Sequence, residues 1–124
     1  DWFGAGFVTY SNVHKHQVLG VAPAILDTYG AVSRQTVLAM ARGAQDAAGA
    51  NIAVAVSGIA GPGGATTDKP VGTSWCGLST PEGEWAYLFQ LQGDRELVKA
   101  QLAQKALEKL GEYLEGRSGN PELK

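Results

Sequence analysis

A chain of 124 residues, 44% hydrophobic and 18% charged, is long enough to fold as one domain around a real core. Its net charge of −2 argues against nucleic-acid and anionic-membrane binding, which usually needs a basic surface, but leaves room for a local phosphate site. The single cysteine, Cys76, excludes an intrachain disulfide, accords with a reducing cytoplasm, and joins no cysteine–histidine cluster of the kind that holds zinc.

No apolar run is long enough to span a bilayer, and no signal peptide is visible. The chain begins at Asp1 rather than methionine, which is expected of a processed product or a fragment. Its 17 glycines cluster at Gly4–Gly6, Gly58–Gly64 and Gly72–Gly83 with no fixed period, so they mark tight turns or close approach to a ligand rather than a repeat architecture.

Gly6–Tyr10 (GFVTY) has the β-branched and aromatic content of a strand. Asn12 is placed to cap a short helix over Val13–Leu19, which Gly20 ends. Pro23 suits the first turn of a second helix, Pro23–Tyr29, with Gly30 as its stop. Ser33 is a good N-cap for Arg34–Ala48. In that helix Val37, Met40, Ala41, Ala44 and Ala48 form a narrow small-residue face suited to close packing on a sheet. Ile52–Val56 is wholly apolar and reads as a central strand covered on both faces. Thr73–Ser79 and Glu84–Leu91 read as a hairpin around Thr80-Pro81-Glu82-Gly83. Trp85, Tyr87, Phe89 and Leu91 share one face of its second strand. Asp94 caps the longest helix, Arg95–Leu114, whose stripe is Val98, Leu102, Ala106, Leu110 and Leu114, widened by Leu107. The order β-α-α-α-β-β-β-α predicts an α/β protein, a three-layer α/β/α sandwich with a mixed sheet, as one domain over residues 1–114 with a polar tail over 115–124.

Four constellations could carry chemistry. Tyr10, Ser11, Asn12 and Lys15 follow a predicted strand end. A lysine of lowered pKa can take a proton from a hydroxyl, and a tyrosine can relay it. The plain alternative is an exposed strand end with a solvated lysine. Ser57-Gly58-Ile59-Ala60-Gly61-Pro62-Gly63-Gly64 leaves an apolar strand and can turn amides toward an anion, with Ser57 adding a hydroxyl. It is neither a Walker loop, a dinucleotide fingerprint nor a nucleophile elbow, and a purely structural loop weighs equally. Lys69, at the end of that loop, either neutralises a phosphate or faces water. Arg95 at the start of the long helix either grips phosphate or is solvated. His14 and His16 lie two apart, do not share a helical face, and read as surface residues.

Five segments occur here in one order: Gly6-Phe-Val-Thr-Tyr-Ser-Asn-x-x-Lys15, Tyr29-Gly-Ala-Val-Ser33, Val56-Ser-Gly-Ile-Ala-Gly-Pro62, Lys69-Pro-Val-Gly-Thr73 and Gly93-Asp-Arg95. Together they resemble the CinA C-terminal domain family from Trp2 to about Leu114. The resemblance implies an α/β/α domain, usually a cytoplasmic homo-oligomer, that hydrolyses the amide of nicotinamide mononucleotide without metal or cofactor. It implies a small-molecule nucleotide substrate and no nucleic-acid or membrane partner. It places Tyr10 and Lys15 in activation of the nucleophile and Ser57 at the head of the glycine loop. It places Ser11, Asn12, Gly58, Gly61 and Arg95 around the nucleotide. The family's nucleophilic serine lies in a Glu-Ser-Cys-Thr-Gly-Gly type segment that these 124 residues do not contain. A fragment, a replacement by Ser11, and a non-catalytic nucleotide-binding or regulatory module are the three accounts. The fragment is preferred, because losing a central strand would expose Ile52–Val56.

Overall fold

The computed structural model describes residues 4–9 and 11–116. Its elements, in chain order, are α1 (Asn12–Leu19), α2 (Pro23–Tyr29), α3 (Arg34–Ala48), β1 (Ala53–Gly58), β2 (Thr73–Thr80), β3 (Gly83–Gln90) and α4 (Arg95–Leu114).

Helix limits follow local chemistry. Ser33 accepts from the Thr36 amide at the start of α3, and Gly49, at φ 62°, ends it in the left-handed conformation that glycine tolerates best. Asp94 accepts from the Leu97 amide at the start of α4. Pro23 occupies the first turn of α2, where its missing N–H costs nothing. The cap of α1 differs from expectation. Ser11, not Asn12, accepts from the His14 amide, and Asn12 is the first helical residue. Both side chains are suitable caps, so backbone geometry made the choice.

The three strands are paired in the order β1-β2-β3, antiparallel throughout. The α/β class is as expected, but the expected mixed sheet is not found among the described residues. The segment expected as a first strand, Gly6–Tyr10, shows no strand over its described part, residues 6–9, and Tyr10 lies outside the described residues. β-propensity is largely packing against a neighbouring strand, and none of the three strands pairs with these residues. β1 was expected to be central with both faces covered. Among the described residues it pairs with β2 alone. Ala55 alone within it is buried, while Val56 is 38% exposed.

Strand alternation sorts the side chains into two layers. One face of the sheet meets α3. An added Cβ on Gly77 would lie 2.7 Å from the Val37 carbonyl oxygen, and Ser79 Oγ donates to Gln45 Oε1 at 2.7 Å. On this side Leu19, Val21, Leu26, Ala39, Met40, Ala41 and Ala55 form a core with α1 and α2 behind it. The other face meets α4. Lys109 lies over the Tyr87 ring, Lys105 over the Phe89 ring, and Trp85 against Tyr113. Leu91, Val98 and Leu102 form the second core. The three-layer arrangement is therefore helices α1–α3, sheet, α4. Among the described residues the stripe of α4 is narrower than its sequence suggests: Leu107 and Leu114 are 69% and 64% exposed.

Candidate active site

Lys15 sits one turn into α1 and is only 6% exposed. Its Nζ donates to the Thr9 carbonyl at 2.7 Å, and Lys15 takes part in none of the four ion pairs among the described residues. Burial lowers its pKa below the ordinary lysine value of 10.5. A half-buried carbonyl is therefore the partner of an ammonium that has lost most of its water.

The glycine-rich segment after β1 is a loop with a closed neck. The Ile59 amide donates to the Thr73 carbonyl at 2.9 Å, and the Gly72 amide returns to the Ile59 carbonyl at 2.7 Å. Gln90 tightens the neck, donating to the Val71 carbonyl and accepting from Thr73 Oγ1. Two glycines are structurally required. Gly61 has φ 80°, and a Cβ there would lie 2.7 Å from a Val71 methyl; Gly72 has φ 96°, and a Cβ there would fall on the Leu91 carbonyl oxygen. The tip folds on itself, the Thr66 amide donating to the Lys69 carbonyl and the Lys69 amide to Thr66 Oγ1. The amides of Ala60, Gly61, Gly63 and Gly64 donate to no described residue, and those of Gly63 and Gly64 belong to exposed residues.

Three side chains tie this loop to its surroundings. Arg95, the first residue of α4, donates from Nη1 to the Gly61 carbonyl at 3.2 Å. Ser57 Oγ donates to the Ala31 carbonyl at 2.8 Å, and Lys69 Nζ to the Tyr29 carbonyl at 2.7 Å. Arg95 and Lys69, like Lys15, enter no ion pair among the described residues, and Arg95 and Lys69 each follow an aspartate in sequence, Asp94 and Asp68.

The structure thus brings Ser57, Gly58, Gly61 and Arg95 together around one loop. Lys15 is bonded to Thr9 rather than to the loop, and Tyr10 lies outside the described residues. Ser11 is an exposed helix cap. Asn12 lines a separate depression of about 220 Å³ between α1 and α2, with Val13, His16, Pro23, Leu26 and Asp27. His16 binds the Val21 carbonyl through Nδ1 at 3.0 Å. No group of three or more metal-ligating side chains occurs among the described residues, and no described helix is long and apolar enough to cross a membrane. Sequence reasoning missed Gln90 and the carbonyls of Thr9, Tyr29 and Ala31. A glutamine and a main-chain oxygen carry no motif signal.

A model of the CinA C-terminal domain matches residues 1–114. The chain belongs to the CinA C-terminal domain family. It is similar to the nicotinamide-nucleotide amidohydrolase PncC of Enterobacter agglomerans, 53% identical over 103 residues that cover 82% of this chain and 63% of that protein. It is 49% identical to the protein of the same name from Pseudomonas putida, over 88% of this chain and 68% of that one. A putative competence-damage inducible protein of Symbiobacterium thermophilum is 46% identical over 93% of this chain but only 29% of its own length. Among solved structures, the competence/damage inducible protein CihA of Agrobacterium tumefaciens superposes with a TM-score of 0.81 at 44% identity, covering 85% of this chain and 65% of that one. A CinA superfamily protein of Escherichia coli gives 0.83 at 34% identity, covering 86% and 62%. This CinA-family chain therefore spans about two thirds of the shorter relatives and under a third of the longer one.

Proposed function

We propose that the protein takes part in hydrolysis of the carboxamide of nicotinamide mononucleotide, giving nicotinate mononucleotide and ammonia. The observation that carries this reading is Lys15, a buried amine that among the described residues bonds one carbonyl and no carboxylate, with a pKa lowered by burial. An amine in that state can accept the proton of a hydroxyl nucleophile closer to neutral pH than a solvated lysine can. The names of the relatives supply the reaction and the substrate.

In this reading a serine hydroxyl attacks the carboxamide carbon as Lys15 Nζ takes its proton, with Tyr10 as relay. Free amides of the Gly58–Gly64 loop donate to the oxyanion or to the phosphate, and Arg95 pairs with the phosphate. Return of the proton to nitrogen expels ammonia, and water then hydrolyses the ester. The Ser57 hydroxyl is committed to Ala31, which favours a role in shaping the loop head over a role as nucleophile. Residues 1–114 would act as one domain, in a homo-oligomer.

The test pairs intact mass with ammonia release from nicotinamide mononucleotide. The expected outcome is turnover by protein carrying a serine segment of the family type, abolished by Lys15→Ala without loss of folding. Retained turnover in that variant removes Lys15 from the mechanism. Ammonia release by the 12.9 kDa chain alone would move the nucleophile to Ser11. Protection against melting by the nucleotide with no ammonia in either form would replace the enzyme with a binding module.

A further inference from the structure

We propose that Lys69 is a positioning residue that straps the glycine loop to the end of α2, an inference that rests, for its functional consequence, on the loop being the nucleotide site. Three consecutive carbonyls, of Tyr29, Gly30 and Ala31, are each taken by side chains. Lys69 Nζ reaches Tyr29. Ser33 Oγ and Thr36 Oγ1 both reach Gly30, at 3.0 and 2.6 Å. Ser57 Oγ reaches Ala31. Ser33 and Thr36 belong to the start of α3 and hold the α2–α3 turn against that helix. Ser57 and Lys69 come from the two limbs of the glycine loop, twelve positions apart in sequence. The turn is thus the fixed post to which the loop is tied at both ends.

Lys69 is the charged one of the two ties, and its acceptor lies at a helix end. Tyr29 is the last residue of α2, so its carbonyl has no intrahelical donor and sits at the negative end of the helix dipole. An ammonium there satisfies an orphan acceptor and a favourable field together. The fit is close: a Cβ on Gly30 would lie 3.3 Å from Lys69 Nζ, at a residue whose φ is 81°. Lys69 Nζ is held on the Tyr29 carbonyl, and in this proposal it acts on the ligand through the loop. The tip turn formed by Thr66 and Lys69 transmits the tie to the glycines before it. Without the tie, the neck at Ile59 and Gly72 and the Arg95 contact to Gly61 would remain, and the stretch from Gly63 to Lys69 would swing freely. The free amides would then pay an ordering cost each time they closed on an anion.

Backbone ¹⁵N relaxation on the ligand-free protein, with calorimetric titration of nicotinamide mononucleotide, tests this in wild type, Lys69→Met and Lys69→Arg. The wild-type order parameters of Gly63, Gly64 and Thr66 should be near those of rigid backbone, about 0.85, and should fall below about 0.6 in Lys69→Met. Lys69→Arg, which keeps a cation and donors of similar reach, should restore them. The dissociation constant should rise roughly tenfold in Lys69→Met, the scale of one charge-assisted hydrogen bond, and recover in Lys69→Arg. Lys69→Gln, shorter and uncharged, is the second variant and should behave as Lys69→Met. Unchanged order parameters in Lys69→Met and Lys69→Gln would overturn the strap whatever the affinity. Lowered order parameters with unchanged affinity would uphold the strap and dismiss the loop as the nucleotide site.

Discussion

Replacing Lys15 by methionine separates the chemistry of this residue from its packing, because methionine fills similar space without charge. Burial holds the folded pKa of Lys15 below 10.5. Between that lowered value and 10.5 the unfolded chain binds a proton here that the folded protein does not, so raising the pH through this window favours the folded state. Below the window both states are charged and the fold bears the full cost of the buried ammonium. Above it both are neutral and the cost is gone. The unfolding free energy of wild type relative to Lys15→Met must therefore climb with pH, at no more than about 1.4 kcal/mol per pH unit, since one proton is involved. Loss of the bond to the Thr9 carbonyl adds an offset, because that half-buried oxygen can turn to water. Every other titrating group is shared and cancels in the difference. Urea unfolding of both proteins, from neutral pH to about 10.5, measures it. A difference that stays flat across the range would refute a desolvated Lys15, and with it the physical basis for its use as a base. Turnover in a complete enzyme should fall in the same variant by about 10²–10⁴, the usual contribution of a general base.

Other expectations follow from particular contacts. Gly77→Ala should lower stability by about 1–3 kcal/mol, read as a drop of several degrees in the melting temperature, because its Cβ meets the α3 backbone at Val37 rather than a movable side chain; an unchanged melt would mean that α3 does not sit on β2. Cys76 is fully buried and its thiol is pushed up to about 12 by that burial, so a thiol reagent at about pH 8 should label it only after denaturation. Rapid labelling of the folded protein would contradict the closure of the sheet by α4. Ser33→Ala should cost about 1 kcal/mol in chemical unfolding, since it removes the cap on the Thr36 amide as well as a donor to Gly30; a neutral result would show that Thr36 alone holds the turn.

Much of the helical framework was legible before any coordinates. Helices α2, α3 and α4 run over the residues their caps and periodicity indicate. The hairpin turns at Pro81-Glu82, with Thr80 opposite Gly83. The failures share a cause. Gly6–Tyr10 has strand composition, yet its described residues pair with no strand; Ile52–Val56 has the composition of a central strand, and among the described residues β1 pairs with β2 alone, in a chain that spans about two thirds of its shorter relatives. Whether an apolar run becomes a central strand depends on what lies beside it, and composition is silent on neighbours. Gly43 makes the same point within a helix. Its sequence context offers no reason for a glycine, but a Cβ there would fall on the Leu19 carbonyl oxygen at the end of α1.

At the candidate site the residue types were readable and their partners were not. Ser57, Gly61, Lys69 and Arg95 stand out as polar and glycine positions around one loop, and the family resemblance rests on five ordered segments that include them. The caps of α3 and α4 and the hairpin turn are decided within about four residues of chain, where dihedral preference and hydrogen-bond reach act directly, and those features the sequence determined by itself. The bonds that shape the site span far more: Ser57 to Ala31 crosses 26 residues, Arg95 to Gly61 34, and Lys69 to Tyr29 40. Each ends on a main-chain carbonyl that looks like every other carbonyl until the layers pack. Only the tertiary structure decided which oxygen each side chain meets, because only packing of α2, α3 and α4 on the sheet brings those oxygens within reach.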